Sequence, residues 1–273
     1  MSPQRFLDAV AGAQEHIRAG DVFQLVLSMA LSGETDLEPF AVYEALRALN
    51  PSPYLYFLDL GEAAVIGSSP EALVTLHDGI ATLRPIAGTR PRGASEAEDL
   101  ALEEELRADA KEAAEHVMLV DLARNDLGRV GATGSIGVRP FRIVERYSHV
   151  MHLVSGVHGR LQPGADAFDL LAATFPAGTV TGAPKVRAME LNDALEPTPR
   201  GLYSGTVGYF GTDGSLDQAI AIRTLVLREG RYTVQAGAGI VHRSVPELEL
   251  AEVGAKSRAL LAALDLAAAR GAA

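Results

Sequence analysis

The chain has 273 residues, of which 48% are hydrophobic and 22% charged, the balance of a folded globular protein rather than a disordered one. Asp and Glu number 35 against 24 Lys and Arg, and the resulting net charge of −11 speaks against a nucleic-acid binder. There is no cysteine, which excludes disulfides and thiolate metal sites, so any metal must be held by oxygen or histidine. No apolar run approaches the roughly 20 residues that span a bilayer, and no charged-then-apolar leader opens the chain. The default expectation is a cytoplasmic protein.

Pro3–Ala19 reads as an amphipathic helix, with Phe6, Val10, Ala13 and Ile17 at helical spacing and Gly20 as its stop. Residues 22–31 read as a strand and 38–49 as a helix ended by Asn50-Pro51-Ser52-Pro53. Four short apolar runs follow at 54–60, 63–68, 72–77 and 80–84, broken by Gly61, Pro70 and Asp78-Gly79, the spacing of antiparallel meanders. One long helix is predicted over 96–125. Strands at 135–138, 141–146 and 150–161 come next, then a helix at 167–174, a turn at 175–182 and a helix over 184–195 with proline at its start. The spacing places strands at 206–210, 216–227 and 232–236. The last helix is predicted from Ser244, where Ser-Val-Pro-Glu fits a capping box. Strands in runs, not in alternation with helices, predict a mostly antiparallel α+β architecture. No repeat, linker or charge block marks a domain boundary, so residues 1–273 read as one domain.

Glu112 and Glu115 lie three apart, on one face of the predicted helix. Val117, Met118, Leu119, Val120 and Leu122 then make that helix apolar nearly all round, which predicts burial. Carboxylates entering a buried helix must be paired, protonated or metal-bound. Glu249 and Glu252 repeat the spacing, and Lys256, Leu260 and Leu264 continue their stripe inward. Two such pairs suit a hard divalent cation, Mg²⁺ above all when a substrate anion completes its coordination. Glu-x-x-Glu is equally common on solvated helix faces, and on the residues alone both readings stand.

Two segments join Gly to Thr and a cation, 85–90 (PIAGTR) and 176–185 (PAGTVTGAPK), and a third, 235–240 (QAGAGI), is Gly-rich. Backbone N–H groups in such loops can bind anions, though each is also ordinary turn chemistry, and none has Walker or Rossmann spacing. Arg223 inside the predicted strand 219–226, and Lys256, need counter-charges from the protein or from a substrate carboxylate. His149 and His152 flank Met151 on a strand, so they point to opposite faces and only one can face a cleft.

Five motifs carry a resemblance: 84–93 (RPIAGTRPRG), 115–129 (EHVMLVDLARNDLGR), 144–153 (VERYSHVMHL), 175–190 (FPAGTVTGAPKVRAME) and 235–241 (QAGAGIV). With them the chain resembles the chorismate-utilising enzymes: anthranilate synthase component I and the aminodeoxychorismate, isochorismate and salicylate synthases. The resemblance implies an α+β fold of two antiparallel sheets packed as a sandwich with helices outside, and Mg²⁺ as cofactor. It implies Glu112, Glu115, Glu249 and Glu252 as the metal site, Glu115 and Glu252 being the direct ligands. It implies substrate contacts at Tyr203, Arg223, Lys256, Thr179, Gly88, Ala238 and Gly239. Glu71 matches the proton donor and His152 the active-site histidine, with Thr89 and Gln24 as further catalytic positions and His149 the weaker candidate.

Within the family, aminodeoxychorismate synthases carry a nucleophilic lysine where this chain has Ala87, and isochorismate and salicylate synthases carry a base lysine where it has Gln24. Ala87 and Gln24 therefore imply direct attack by ammonia, as in the anthranilate synthases, a lyase activity in tryptophan biosynthesis. An aminodeoxychorismate or aminodeoxyisochorismate synthase, and an inactive chorismate-binding domain, are the alternatives. The partners implied are chorismate and ammonia, or a glutamine amidotransferase subunit (component II), with a homo-oligomer open and no nucleic acid or membrane. Asn50, Pro51, Ser52 and Tyr54 resemble part of a tryptophan feedback site whose other part lies in a preceding segment. That segment is absent here, so weak or no tryptophan inhibition is expected.

Overall fold

Ser2 opens the first helix by accepting the Arg5 N–H, Pro3 fills its first turn, and Gly20 ends it at φ 84°. The computed structural model describes residues 1–147 and 150–271, so the reading of His149 falls outside it. The chain runs α1 (Pro3–Ala19), β1 (Gln24–Glu34), α2 (Pro39–Leu49), β2 (Tyr54–Asp59), β3 (Ala63–Ser69), β4 (Ala72–His77), β5 (Ile80–Leu83) and β6 (Ile86–Pro91). It continues through α3 (Glu96–Ala108), α4 (Ala110–Gly128), β7 (Gly137–Val138), β8 (Ile143–Arg146), β9 (Val150–Val154), β10 (Val157–Arg160) and α5 (Ala167–Thr174). A 3₁₀ turn (Gly178–Val180) precedes β11 (Gly182–Ala183) and α6 (Lys185–Leu195). Then come β12 (Thr206–Phe210), β13 (Leu216–Ile220), β14 (Thr224–Arg228), β15 (Arg231–Ile240) and α7 (Pro246–Gly271).

The chain forms two compact units. Unit 1 comprises Met1–Glu71, Pro176–Val207 and Ala219–Ala273. Its sheet has the order β11-β1-β15-β14-β3-β2, and β1 pairs antiparallel with β15 over ten positions, from Leu25 opposite Ile240 to Glu34 opposite Arg231. Phe6, Val10 and Ala13 of α1 bury against Leu25, Leu27, Ala236 and Ala238, and Val42, Ala45 and Leu46 of α2 against Ile66, Leu225 and Leu260. Each such Leu, Ile or Phe contributes about 1.5–3 kcal/mol, so α1, α2 and, through Leu260, the site-bearing α7 are anchored by their apolar stripes.

Unit 2 comprises Ala72–Phe175 and Gly208–Gln218. It holds most of a second six-stranded sheet, β12-β13-β4-β5-β10-β7, and a three-stranded sheet, β6-β9-β8. Leu106, Met151 and Leu153 form a small core there, with Leu102 and Val144 packed on it. The predicted α+β class with antiparallel sheets is the observed one; the third sheet is an addition.

The structure corrects several expectations. The predicted helix 96–125 is two helices, because Asp109 leaves helical geometry (φ −67°, ψ 108°) and caps the second through the Lys111 and Glu112 N–H groups. That second helix, α4, is not buried all round: His116, Leu119, Val120, Ala123 and Leu127 point inward, while Val117 is 40% exposed. The run 216–227 breaks after Ile220, and Arg223 lies between strands at φ 50°, not inside one. Segments 85–90 and 235–240, read as Gly-rich loops, lie in β6 and β15 for all but Pro85, and 150–161 divides after Val154. Ser244 makes no capping box, since its hydroxyl accepts the Val241 N–H and α7 starts at Pro246.

Candidate active site

Unit 1 gathers a carboxyl, two cations and a phenol. Glu71 follows β3, held where the Ser69 hydroxyl donates to the Ile220 carbonyl at 2.7 Å and the Ile220 N–H donates to the Glu71 carbonyl at 3.0 Å. Its side chain accepts a hydrogen bond from Thr179 Oγ1 at 2.9 Å. Desolvation raises the Glu71 pKa to about 7, against the opposing pull of Thr179 and of the Arg223 and Lys256 charges. A carboxyl so tuned is partly protonated near neutral pH and can give up its proton.

Arg223 owes its placement to the break between β13 and β14. Its left-handed backbone turns the side chain out of the ladder, a conformation that costs about 1–3 kcal/mol and clusters at functional sites. Burial depresses its pKa, opposed by its electrostatic interactions with Tyr203, Glu71 and Glu252. Tyr203 is 8% exposed, and desolvation pushes its phenol up to about 12, so it stays a hydrogen-bond donor. Gly237 makes room for it: a Cβ there would stand 2.6 Å from the Tyr203 hydroxyl. Lys256 Nζ donates to the Gly237 carbonyl at 2.9 Å and pairs with Glu252 Oε1 at 2.5 Å.

Gly239 shares a face of β15 with Gly237, and a Cβ there would meet Gln24 Nε2 at 2.6 Å. Gln24 itself is buried. The Ala238 methyl lies on the opposite face, in the core, which leaves only its backbone for a ligand. Asn50 ties the end of α2 to β3, its amide donating to Ser68 Oγ at 3.4 Å while the Ser68 hydroxyl donates back to the Asn50 carbonyl. Tyr54 pairs with Ser69 at the start of β2, and Pro51 and Ser52 make the connection.

Unit 2 carries the histidine and the other carboxylate pair. His152 Nδ1 lies 3.1 Å from the Gly88 carbonyl and 3.0 Å from Thr89 Oγ1. A carbonyl can only accept, so Nδ1 carries the proton and Nε2 keeps its lone pair. Desolvation lowers the His152 pKa, against the pull of Gly88 and Glu145. Gly88 sits at the β6 irregularity with φ 66°, and a Cβ there would press Leu106 at 2.9 Å and Glu112 Oε2 at 3.2 Å. Ala87 beside it offers no nucleophile.

Glu112 is at the first turn of α4 with its side chain 20% exposed, 3.7 Å from Arg90 Nη1. Arg90 also pairs with Glu105 at 2.8 Å and Asp109 at 2.9 Å, so one guanidinium braces the junction of α3 and α4. Glu115 follows one turn on, half-buried, whereas Glu252 on α7 is 47% exposed, more than its predicted inward stripe implies. The donors are carboxylate oxygens alone, a set that fits a hard cation such as Mg²⁺. Within each unit, among the described residues, no three His, Asp or Glu side chains gather to hold a metal.

Sequence reasoning passed over His116 and Arg200. His116 is fully buried, its Nε2 2.7 Å from Ser155 Oγ, and burial with the Arg142 charge holds its pKa at about 4. Only its position inside the 115–129 motif hinted at it.

An α+β protein with paired cations beside a carboxyl tuned to neutrality, and with oxygen-only acidic pairs, has the makings of an enzyme for a small anionic substrate. The chain belongs to the family of chorismate binding enzymes, whose model matches residues 1–262. It is 56% identical over 264 residues to an anthranilate synthase component 1 of Aquifex aeolicus, a match covering 97% of this chain and 53% of that protein. Among solved structures, anthranilate synthase component I from Streptococcus pneumoniae superposes with a TM-score of 0.89 at 48% identity, over 95% of this chain and 58% of the other. The menaquinone-specific isochorismate synthase of Escherichia coli superposes with a TM-score of 0.88 at 27% identity, over 97% and 61%. The chain spans about half the length of the curated relatives it matches.

Proposed function

We propose that this chain is an anthranilate-forming lyase: ammonia adds to C2 of chorismate, the C4 hydroxyl leaves as water, and pyruvate is eliminated. The observation that carries the reading is Glu71, a carboxyl with its pKa raised to about 7, bonded to Thr179 and within electrostatic reach of Arg223 and Lys256.

In this reading Arg223 and the Tyr203 hydroxyl hold the enolpyruvyl carboxylate, with Lys256 and the backbone of Gly239, Ala238 and Gly88 as further contacts. Glu71 donates its proton to the departing hydroxyl, help typically worth 10²–10⁴-fold. His152, whose Nδ1 bond to Gly88 leaves Nε2 as the base, takes the C2 proton as pyruvate departs and the ring aromatises; Thr89 steadies the imidazole. Gln24 and Ala87 supply neither base nor nucleophile, which favours ammonia as the attacking group. Mg²⁺, when bound through Glu115 and Glu252 with Glu112 and Glu249, supplies a positive anchor for the ring carboxylate. Ammonia would come from a glutamine amidotransferase partner in the cytoplasm, and Asn50, Pro51, Ser52 and Tyr54 would contribute to a tryptophan-responsive site.

The test is fluorescence of anthranilate formed from chorismate, ammonium and Mg²⁺. The reading expects fluorescence that EDTA abolishes and that Glu71→Gln reduces at least a hundredfold. Consumption of chorismate without fluorescence would point to a synthase that stops at the aminated intermediate, and no consumption to a binding domain.

A further inference from the structure

Glu196 and Arg200 form an ion pair that the proposed chemistry does not use. Their side chains are 5% and 14% exposed. Arg200 Nε and Nη2 fork onto the two Glu196 oxygens at 2.8 and 2.6 Å, Nη1 donates to the Val180 carbonyl at 2.6 Å, and Nη2 donates also to the Val26 carbonyl at 2.7 Å. The guanidinium carbon lies 5.6 Å from the centre of the Tyr203 ring. Glu196 Oε1 accepts in addition from the Ser28 N–H and hydroxyl at 2.8 and 3.0 Å, and the Gln235 amide donates to that hydroxyl at 2.8 Å.

A pair this desolvated is weak support for stability as such, since apolar residues of the same volume often serve as well. What apolar residues cannot do is tether two carbonyls and a carboxylate at fixed angles. Only the planar fork of arginine does that, and a lysine cannot replace it. The two tethered carbonyls lie on the 3₁₀ turn and on β1. Val180 is adjacent to Thr179, the residue whose hydroxyl reaches Glu71. Tyr203, under the guanidinium, is the phenol that fits against Gly237.

We propose that Arg200 is a positioning residue: by holding the Val180 carbonyl and the Tyr203 ring, it keeps the Thr179 hydroxyl on Glu71 and the phenol at the face of β15. The consequence for catalysis rests on the function proposed above; the geometric claim does not. The groups that face Glu71 are Thr179, Arg223, Lys256 and Tyr203. Arg200→Lys leaves all four residues unsubstituted and keeps the charge, removing only the fork that positions them.

The test is a ¹³C NMR titration of Glu71 in ligand-free protein, with near-UV circular dichroism as the check on folding. Thr179→Val deletes the donated hydrogen bond outright, so its Glu71 pKa rises by about half to one pH unit. Arg200→Lys is expected to raise it in the same direction. The charge-neutral pair Glu196→Gln with Arg200→Met is expected to do likewise, and it provides the reading if the lysine variant is unfolded. In turnover, Arg200→Lys should lower kcat/KM about tenfold. A folded Arg200 variant whose Glu71 titrates as in the wild type overturns the proposal, as does a Thr179→Val protein with an unmoved Glu71. Wild-type chain without chorismate turnover would instead sink the functional reading and leave the titration to judge Arg200 by itself.

Discussion

The two Glu-x-x-Glu helices answer one sequence pattern in different surroundings. On α4 of unit 2, Glu112 is mostly covered and lies beside an arginine that also grips Glu105 and the Asp109 cap. On α7 of unit 1, Glu252 is nearly half exposed and is partnered by Lys256, itself tethered to the Gly237 carbonyl. Spacing puts two carboxylates side by side on a helix; the neighbouring cations decide how firmly each is held. Glu112 on α4 is built into a helix junction, whereas Glu252 on α7 pairs with a lysine that the proposed reaction also needs for substrate.

The units differ in the same way in their response to pH. In unit 1 the folded pKa of Glu71, about 7, lies above its ordinary 4.5, so its stabilisation is complete below about pH 4.5 and is lost as pH rises through 7. In unit 2 the folded pKa of His116, about 4, lies below its ordinary 6.5, so its stabilisation is complete above 6.5 and is lost as pH falls through 4.

The largest effects should come from the carboxylates proposed for the metal and for the acid. Glu115→Gln and Glu252→Gln should each mimic EDTA in the anthranilate assay, and Mg²⁺ binding followed by calorimetry should be lost in both. Full Mg²⁺-dependent turnover in either would remove that residue from the metal site. Arg223→Lys replaces a half-buried planar guanidinium by a point charge and should raise the KM for chorismate about ten- to a hundredfold, read from initial rates. Next, Arg90→Met and Lys256→Met sharpen the comparison of the two helices. The first removes charge from a braced junction and should lower the thermal midpoint of the protein. The second should leave the midpoint nearly unchanged while raising the KM for chorismate.

Two smaller effects come from pH. His116→Gln should flatten the loss of stability between pH 6.5 and 4, a change of about 2–3 kcal/mol followed by urea denaturation. Glu71→Gln should raise the thermal midpoint at pH 8 and leave it near the wild-type value at pH 4.5. Opposite signs in either titration would break the contrast between the units.

Helices and strands anchored by regular apolar spacing were legible in the sequence: α1, α2, α5 and the meander strands β2 to β5 fall within a residue or two of their expected limits. Breaks made by one polar residue were not. Asp109 reads as another helix residue until its carboxylate is seen capping Glu112, and Arg223 reads as a strand residue until its backbone is seen at φ 50°. The Gly-rich run 235–240 reads as a loop because glycines in such a run suggest turn chemistry or an anion-binding backbone. Their use is space, for the Tyr203 hydroxyl and the Gln24 amide. The site residues were named through the motif resemblance; Arg90 bonds to Glu105 on α3 and to the Asp109 cap of α4, and Arg200, beyond its neighbour Glu196, to the distant carbonyls of Val26 and Val180, which no local pattern encodes.

All of this turns on Glu71 acting as an acid in a site built for a carboxylate substrate. The pH profile of kcat/KM for anthranilate formation, expressed per free ammonia, reports the free-enzyme pKa of that acid. The expected profile falls with an apparent pKa near 7 and is abolished in Glu71→Gln. A profile level through pH 9, with Glu71→Gln retaining turnover, would contradict the assignment.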